Sequence, residues 1–141
     1  MSSLRPFHLA ITVDDLKAAE TFYHGLLECP MGRRSERWID FNLHGHQFVT
    51  HLDPQKNVGK VSNPVDGDDV PVPHFGIVLT LEVFERFSSM LLKKEGIEWK
   101  IRPRVRFKGQ EGEQRTMFFM DPAGNALEFK AFADDNMLFA V

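Results

Sequence analysis

Two histidines occupy matching places in this 141-residue chain. His8 is second in the run Phe7-His8-Leu9-Ala10-Ile11-Thr12-Val13, and His74 is second in Pro73-His74-Phe75-Gly76-Ile77-Val78-Leu79. A carboxylate, Glu128, lies within a third apolar run that ends Ala126-Leu127-Glu128-Phe129-Lys130. Imidazole and carboxylate are the side chains that hold divalent ions, and they also move protons near neutral pH. A single histidine in a strand usually only packs there. Two at equivalent points of a repeat, with a glutamate, imply a shared task. His51 is a candidate acid–base group. Arg106 and Lys108 carry the charge needed to clamp a carboxylate or phenolate of a substrate.

The elements that must position these residues repeat. Each histidine-bearing run is followed at once by a helical pattern, Leu16, Ala19, Phe22, Tyr23, Leu26, Leu27 in the first case and Leu81, Phe84, Phe87, Ser88, Leu91, Leu92 in the second. Spacings of three and four put each set on one helix face. Asp14 or Asp15 is placed to cap the first helix and Thr80 the second. Gly25 falls late in the first helix and weakens its last turn, and Gly96 is placed as the C-cap of the second. Alternation sets Phe7, Leu9, Ile11 and Val13 under the helix and turns His8, Ala10 and Thr12 the opposite way. By the same rule His74, Gly76 and Val78 oppose Phe75, Ile77 and Leu79, and Glu128 opposes Leu127 and Phe129. His51, two residues after Val49, shares the open face. His44 and His46 fall at a turn, and His24 lies on the polar side of a helix.

Residues 38–51 and 117–130 both read as strand, turn, strand, the second around Asp121-Pro122-Ala123-Gly124. Each half is therefore strand, helix and about three strands, and the chain is an α+β protein of two βαβββ repeats. The first half covers residues 5–52, a connection 53–71, the second half 72–132 and a tail 133–141. The connection holds Pro54, Pro64 and Pro71 and no periodicity. Its length, unusual inside a compact domain, fits either a spacer or a cover over the site. Met137, Leu138 and Phe139 make the tail apolar enough to dock. Lys100, Arg102, Arg104, Arg106 and Lys108 alternate with apolar residues as in a solvated strand face, while Pro103 argues against an uninterrupted central strand. The stretch from Arg104 to Gln114 reads as a loop.

Composition narrows the function. A formal net charge of -3 provides no basic field for a nucleic-acid backbone. The lone cysteine, Cys29, cannot form an internal disulfide, which suits a reducing cytoplasm. The N-terminal residues lack the apolar run of a signal peptide, and no stretch reaches membrane-spanning length. A cytoplasmic protein with a small-molecule substrate is expected.

The repeated βαβββ pattern, the histidine opening each half, and Asp121-Pro122-Ala123-Gly124-Asn125-Ala126-Leu127-Glu128-Phe129 closing the second resemble the vicinal-oxygen-chelate superfamily, which includes glyoxalase, bleomycin-resistance and extradiol dioxygenase proteins. Trp38-Ile39-Asp40-Phe41, Gly45-His46-Gln47, Pro71-Val72-Pro73-His74-Phe75-Gly76 and Arg106-Phe107-Lys108-Gly109-Gln110 resemble a subfamily of short bacterial extradiol-type dioxygenases. The resemblance implies cupped mixed sheets with helices outside and a glyoxalase-like single domain. It also implies four ligand slots, held here by His8, Val49, His74 and Glu128. Valine cannot bind metal, so the implied set is His8, His74 and Glu128, the two-histidine, one-carboxylate combination of non-haem Fe(II) oxygenases. Mn(II), Ni(II) or Zn(II) suit the same donors. Implied functions are extradiol-type oxygenation of a catecholic substrate, a glyoxalase-like isomerase or lyase reaction, or ligand sequestration as in bleomycin-resistance proteins. The family also implies a homodimer.

Overall fold

The computed structural model describes residues 4–56, 61–65 and 68–141. The chain divides into two compact units, residues 1–58 and 59–141.

Unit 1 opens with β1 (His8–Val13), followed by α1 (Leu16–Glu20), β2 (Met31–Arg34), β3 (Trp38–Leu43) and β4 (His46–Leu52). Asp15 caps α1 by accepting from the Ala18 N–H at 3.0 Å. After Glu20 the helix does not merely fray at Gly25. It widens into a π-helical segment, Thr21–Leu26, and the Leu27 N–H reaches back five residues to the Phe22 carbonyl at 2.9 Å. The sheet order is β1-β4-β3-β2, with β1 parallel to β4 and the other pairs antiparallel. Tyr23, Phe41 and Phe48, all at most 2% exposed, form the aromatic core between helix and sheet. His8, Ala10 and Thr12 are exposed while Leu9 and Ile11 are half-buried and Val13 buried, as the alternation requires, but Phe7, expected on the covered face, precedes the strand and is 66% exposed.

Between the repeats, β5 (Val61–Val65) and β6 (Asp68–Val72) pair as an antiparallel ribbon. The sequence showed no strand there because prolines interrupt it. A two-stranded ribbon has only edges, where a missing N–H is tolerated. Residues 57–60 and 66–67 of the expected connection lie outside the described residues.

Unit 2 continues with β7 (His74–Phe75), α2 (Leu81–Leu92), β8 (Glu98–Arg106), β9 (Gln114–Met120) and β10 (Ala126–Phe132). The sheet order β7-β10-β9-β8 repeats that of unit 1, again with the first and last strands parallel. Thr80 caps α2 by accepting from the Val83 N–H at 3.2 Å. The helix ends at Leu92, capped by Lys93, and Gly96 at φ +94° lies in the following turn instead of serving as C-cap. Phe87, Phe119 and Phe129 fill the space between α2 and the sheet. On the opposite face Val70 of β6 covers Ile101, Phe118, Met120 and Ala126.

Two expectations for the basic segment change. β8 runs on to Arg106, so the loop begins at Phe107 and not at Arg104. It is an edge strand, which accommodates Pro103. Its pairing also slips between Trp99 and Ile101 and again between Ile101 and Arg104. These bulges break the simple alternation. Arg102 lies over the Trp99 ring at 5.8 Å, whereas Arg104 and Arg106 share a face with Ile101. In the tail, Asp135–Met137 forms a 3-10 turn that leaves Met137 and Leu138 half-buried and Phe139 88% exposed. No described helix is long and apolar enough to cross a membrane.

Candidate metal centre

Unit 2 assembles a histidine and a carboxylate. β7 and β10 run parallel with His74 beside Ala126, so Glu128 lies two residues further on, beside Gly76. That neighbour must be glycine, because a Cβ at Gly76 would overlap the Glu128 carbonyl. The backbone passes closely enough here for His74 and Glu128 to meet. His74 Nε2 lies 3.7 Å from Glu128 Oε1.

Both side chains are oriented by neighbours. His74 Nδ1 is 2.8 Å from the Pro71 carbonyl oxygen. A carbonyl only accepts, so Nδ1 carries the proton, and in the neutral ring Nε2 presents its lone pair toward Glu128. The ring also stands edge-on to Phe118, with centroids 5.1 Å apart. Thr116 Oγ1 donates to Glu128 Oε2 at 3.1 Å, which leaves Oε1 facing His74 and, at 3.4 Å, Lys130 Nζ. Such outer contacts fix the tautomer and direction of metal ligands. A separation of 3.7 Å between Nε2 and Oε1 suits one ion with bonds of about 2.0–2.2 Å to each. The donor chemistry of the pair therefore fits a divalent metal.

A cavity of about 150 Å³ opens on this face, lined by Val70, His74, Ile101, Arg104, Arg106, Thr116, Glu128 and Lys130. Arg106 lies in its wall. Lys108 does not; it lies exposed in the turn after β8. Sequence reasoning missed Arg104, Thr116 and Lys130. Arg104 was hidden by the bulge. Thr116 and Lys130 become neighbours of the site through the β9–β10 register, in which they are partners.

The remaining candidates stand on unit 1. His8 is exposed on β1 beside Gln47, and Val49 fills the position equivalent to Glu128, two residues along β4. His51 pairs with Thr12 on β1 and Trp38 on β3, which puts it on the same open face as His8. His46 Nδ1 accepts from the Phe7 N–H at 2.8 Å, and His24 Nδ1 contacts the Cys29 carbonyl at 2.8 Å. Both therefore have structural partners. Among the described residues no group of three or more His, Cys, Asp or Glu side chains is drawn together. The assembled part of the expected triad is the His74–Glu128 pair.

Comparison with known proteins agrees with this architecture. The profile of the Glyoxalase/Bleomycin resistance protein/Dioxygenase superfamily matches residues 5–129. The chain belongs to this superfamily. Among solved structures, a glyoxalase/bleomycin resistance protein/dioxygenase from Alicyclobacillus acidocaldarius is 33% identical, with 95% of this chain and 96% of that chain covered and a TM-score of 0.78. The genomically encoded fosfomycin resistance protein of Listeria monocytogenes shares the fold at 18% identity, 97% and 98% coverage and a TM-score of 0.65. A variant of it has been crystallised with Mn(II) and 1S,2S-dihydroxypropylphosphonic acid. The lactoylglutathione lyase of Agrobacterium tumefaciens also shares the fold, at 16% identity, 100% and 98% coverage and a TM-score of 0.61. No curated protein matches the chain. The superfamily thus includes enzymes and metal-binding members.

Proposed function

We propose that this chain is a metal-dependent enzyme in which His74 and Glu128, together with His8 of unit 1, hold one divalent ion. The observation that carries this reading is the His74 anchor on Pro71, which aims the Nε2 lone pair at Glu128 Oε1, 3.7 Å away. Thr116 holds the carboxylate in place. Two imidazoles and one carboxylate, with Val49 in the fourth slot, leave coordination positions open for a substrate. Fe(II) bound by this set would chelate two adjacent oxygens of a small substrate and supply oxygen chemistry, so the leading reaction is extradiol-type dioxygenation of a catecholic compound. Arg106 holds the anionic part of the substrate from the cavity wall. His51, on the open face of unit 1, takes the acid–base role. A glyoxalase-like isomerase or lyase reaction is the second reading, favoured by the cationic wall of the cavity. That wall stabilises a developing anion whether or not oxygen takes part.

The discriminating assay is anaerobic loading with Fe(II), then addition of catechol with an oxygen electrode and absorbance read together. Ring cleavage coupled to oxygen uptake is expected. Metal-dependent turnover of a hemithioacetal without oxygen uptake would retain the ligands and move the reaction to the glyoxalase class. The family also points to a homodimer, with the exposed Phe139 of the tail available for burial. A strictly monomeric mass in light scattering at micromolar concentration would refute it.

A further inference from the structure

Among the described residues the non-glycines with a left-handed backbone are Glu28 at φ +58°, His44 at φ +49° and Phe107 at φ +57°. The first two have local reasons. Glu28 follows the last turn of the π-helical segment, where helices commonly end left-handed. His44 precedes Gly45 in the two-residue turn between β3 and β4, which requires positive φ at both positions. Neither reason serves Phe107. It opens the loop from β8 to β9, whose other left-handed positions are glycines, Gly109 and Gly112. A bulky side chain is strained in this conformation, and such strain collects at functional sites.

Burial does not offset the strain, since Phe107 is 45% exposed. The ring meets a cation instead. Arg106 Cζ lies 4.8 Å from the ring centroid, inside the range of about 6 Å for a cation–π contact. Consecutive residues of a strand project to opposite faces. Arg106 ends β8 and lines the cavity, so an extended Phe107 would turn away from it. The left-handed bend brings the ring back against the guanidinium. The turn that carries the ring is closed by its own bonds. The Phe107 carbonyl accepts from the Gln110 N–H at 3.0 Å, and the Gly109 N–H donates to Glu113 Oε1 at 2.8 Å.

We infer that Phe107 is a positioning residue for Arg106. Its ring holds the guanidinium at the cavity wall, so the orientation of the donors is set before an anionic group arrives. Ordering a long side chain in advance removes part of the entropy cost of binding. The use of Arg106 by a substrate rests on the proposed function. The anchoring by Phe107 does not.

The first test is NMR of the full-length protein without ligand, with the Arg106 Nε–H assigned by its loss in Arg106→Lys. Its order parameter should match a rigid backbone, about 0.85, fall below about 0.6 in Phe107→Leu, and recover in Phe107→Tyr. Phe107→Gly and Phe107→Ala examine the strain. Both lack the ring, but only glycine suits the bend. The glycine variant should therefore unfold at the higher denaturant concentration, and both should show the loss of order at Arg106. The second test is oxygen uptake by the Fe(II)-loaded protein with protocatechuate, a catechol that carries a carboxylate, and with catechol, which carries none. The preference for protocatechuate should fall roughly tenfold in Phe107→Leu, with the loss in KM and not in kcat. An Arg106 order parameter unchanged in Phe107→Leu, or an alanine variant as stable as the glycine variant, overturns the inference. Lost order with an unchanged preference would retain the anchor and remove Arg106 from substrate binding. Lost order in a protein that turns over neither compound would retain the anchor and remove the dioxygenase reading.

Discussion

In unit 1 the first strand sets His8 beside Gln47 and the last strand brings Val49 two residues later; in unit 2 the same register sets His74 beside Ala126 and brings Glu128 two residues later. The backbone plan is shared and the chemistry is not. Val49 is 5% exposed and packs, whereas the Glu128 side chain, 17% exposed, reaches a cavity. The edge strands differ in step with this. Ala10 sits beside Val49, but Gly76 sits beside Glu128, where no Cβ fits. Around the open faces, unit 1 offers His8, Asp40 and His51, and unit 2 offers Arg104, Arg106 and Lys130. The duplicated scaffold fixes where a ligand can stand, and single side chains decide whether one does. One half thus supplies two of the three proposed ligands together with the cationic wall.

Several substitutions break or sharpen this asymmetry. The largest effect belongs to Gly76→Ala. It forces the Glu128 backbone away and should cost roughly 3 kcal/mol or more in denaturant unfolding, while the reciprocal Ala10→Gly should cost only about 0.5–1 kcal/mol. Equal losses would mean that the close approach is not special to unit 2. Next comes Glu128→Ala, which should abolish stoichiometric metal binding in elemental analysis while circular dichroism stays unchanged. His74→Ala and His8→Ala should do the same, and full occupancy in the Glu128 variant would refute the ligand assignment. A smaller loss is expected from Thr116→Val. It removes the hydroxyl that holds Glu128 Oε2, and metal affinity by competition with a chelator should fall about tenfold to a hundredfold. Arg106→Ala should raise KM about tenfold without displacing metal, and Lys108→Ala should change it less than about twofold; the reverse order would restore the role of Lys108 suggested by the sequence. The smallest effect concerns Cys29. Burial pushes its thiol up to about 12, so at pH 8 the thiol stays protonated and native protein should resist alkylation that proceeds readily in denaturant.

The strand faces that carry the candidate ligands were legible from alternation. His8, His74 and Glu128 each interrupt an apolar strand on the face away from a helix, and the structure keeps those faces as read. The caps at Asp15 and Thr80 were legible for the same local reason, since a side-chain oxygen just before a periodic run has one backbone N–H to serve. Where the period fails, the reading failed with it. Two bulges in β8 turn Arg104 and Arg106 to the same face as Ile101 and separate them from Arg102, and no count of alternate residues anticipates that. The prolines of β5 and β6 concealed a ribbon whose Val70 covers the apolar end of the sheet.

The sequence by itself determined the duplication, the α+β class and the direction in which the two histidines and the glutamate point, because strand and helix periodicities are local properties of the chain. Only the tertiary structure decided that Pro71 fixes the His74 tautomer, that Thr116 holds Glu128, and that Lys130 and Arg104 flank one cavity. Those relations depend on strand register and close backbone approach. Both are set by the packing of residues far apart in the chain.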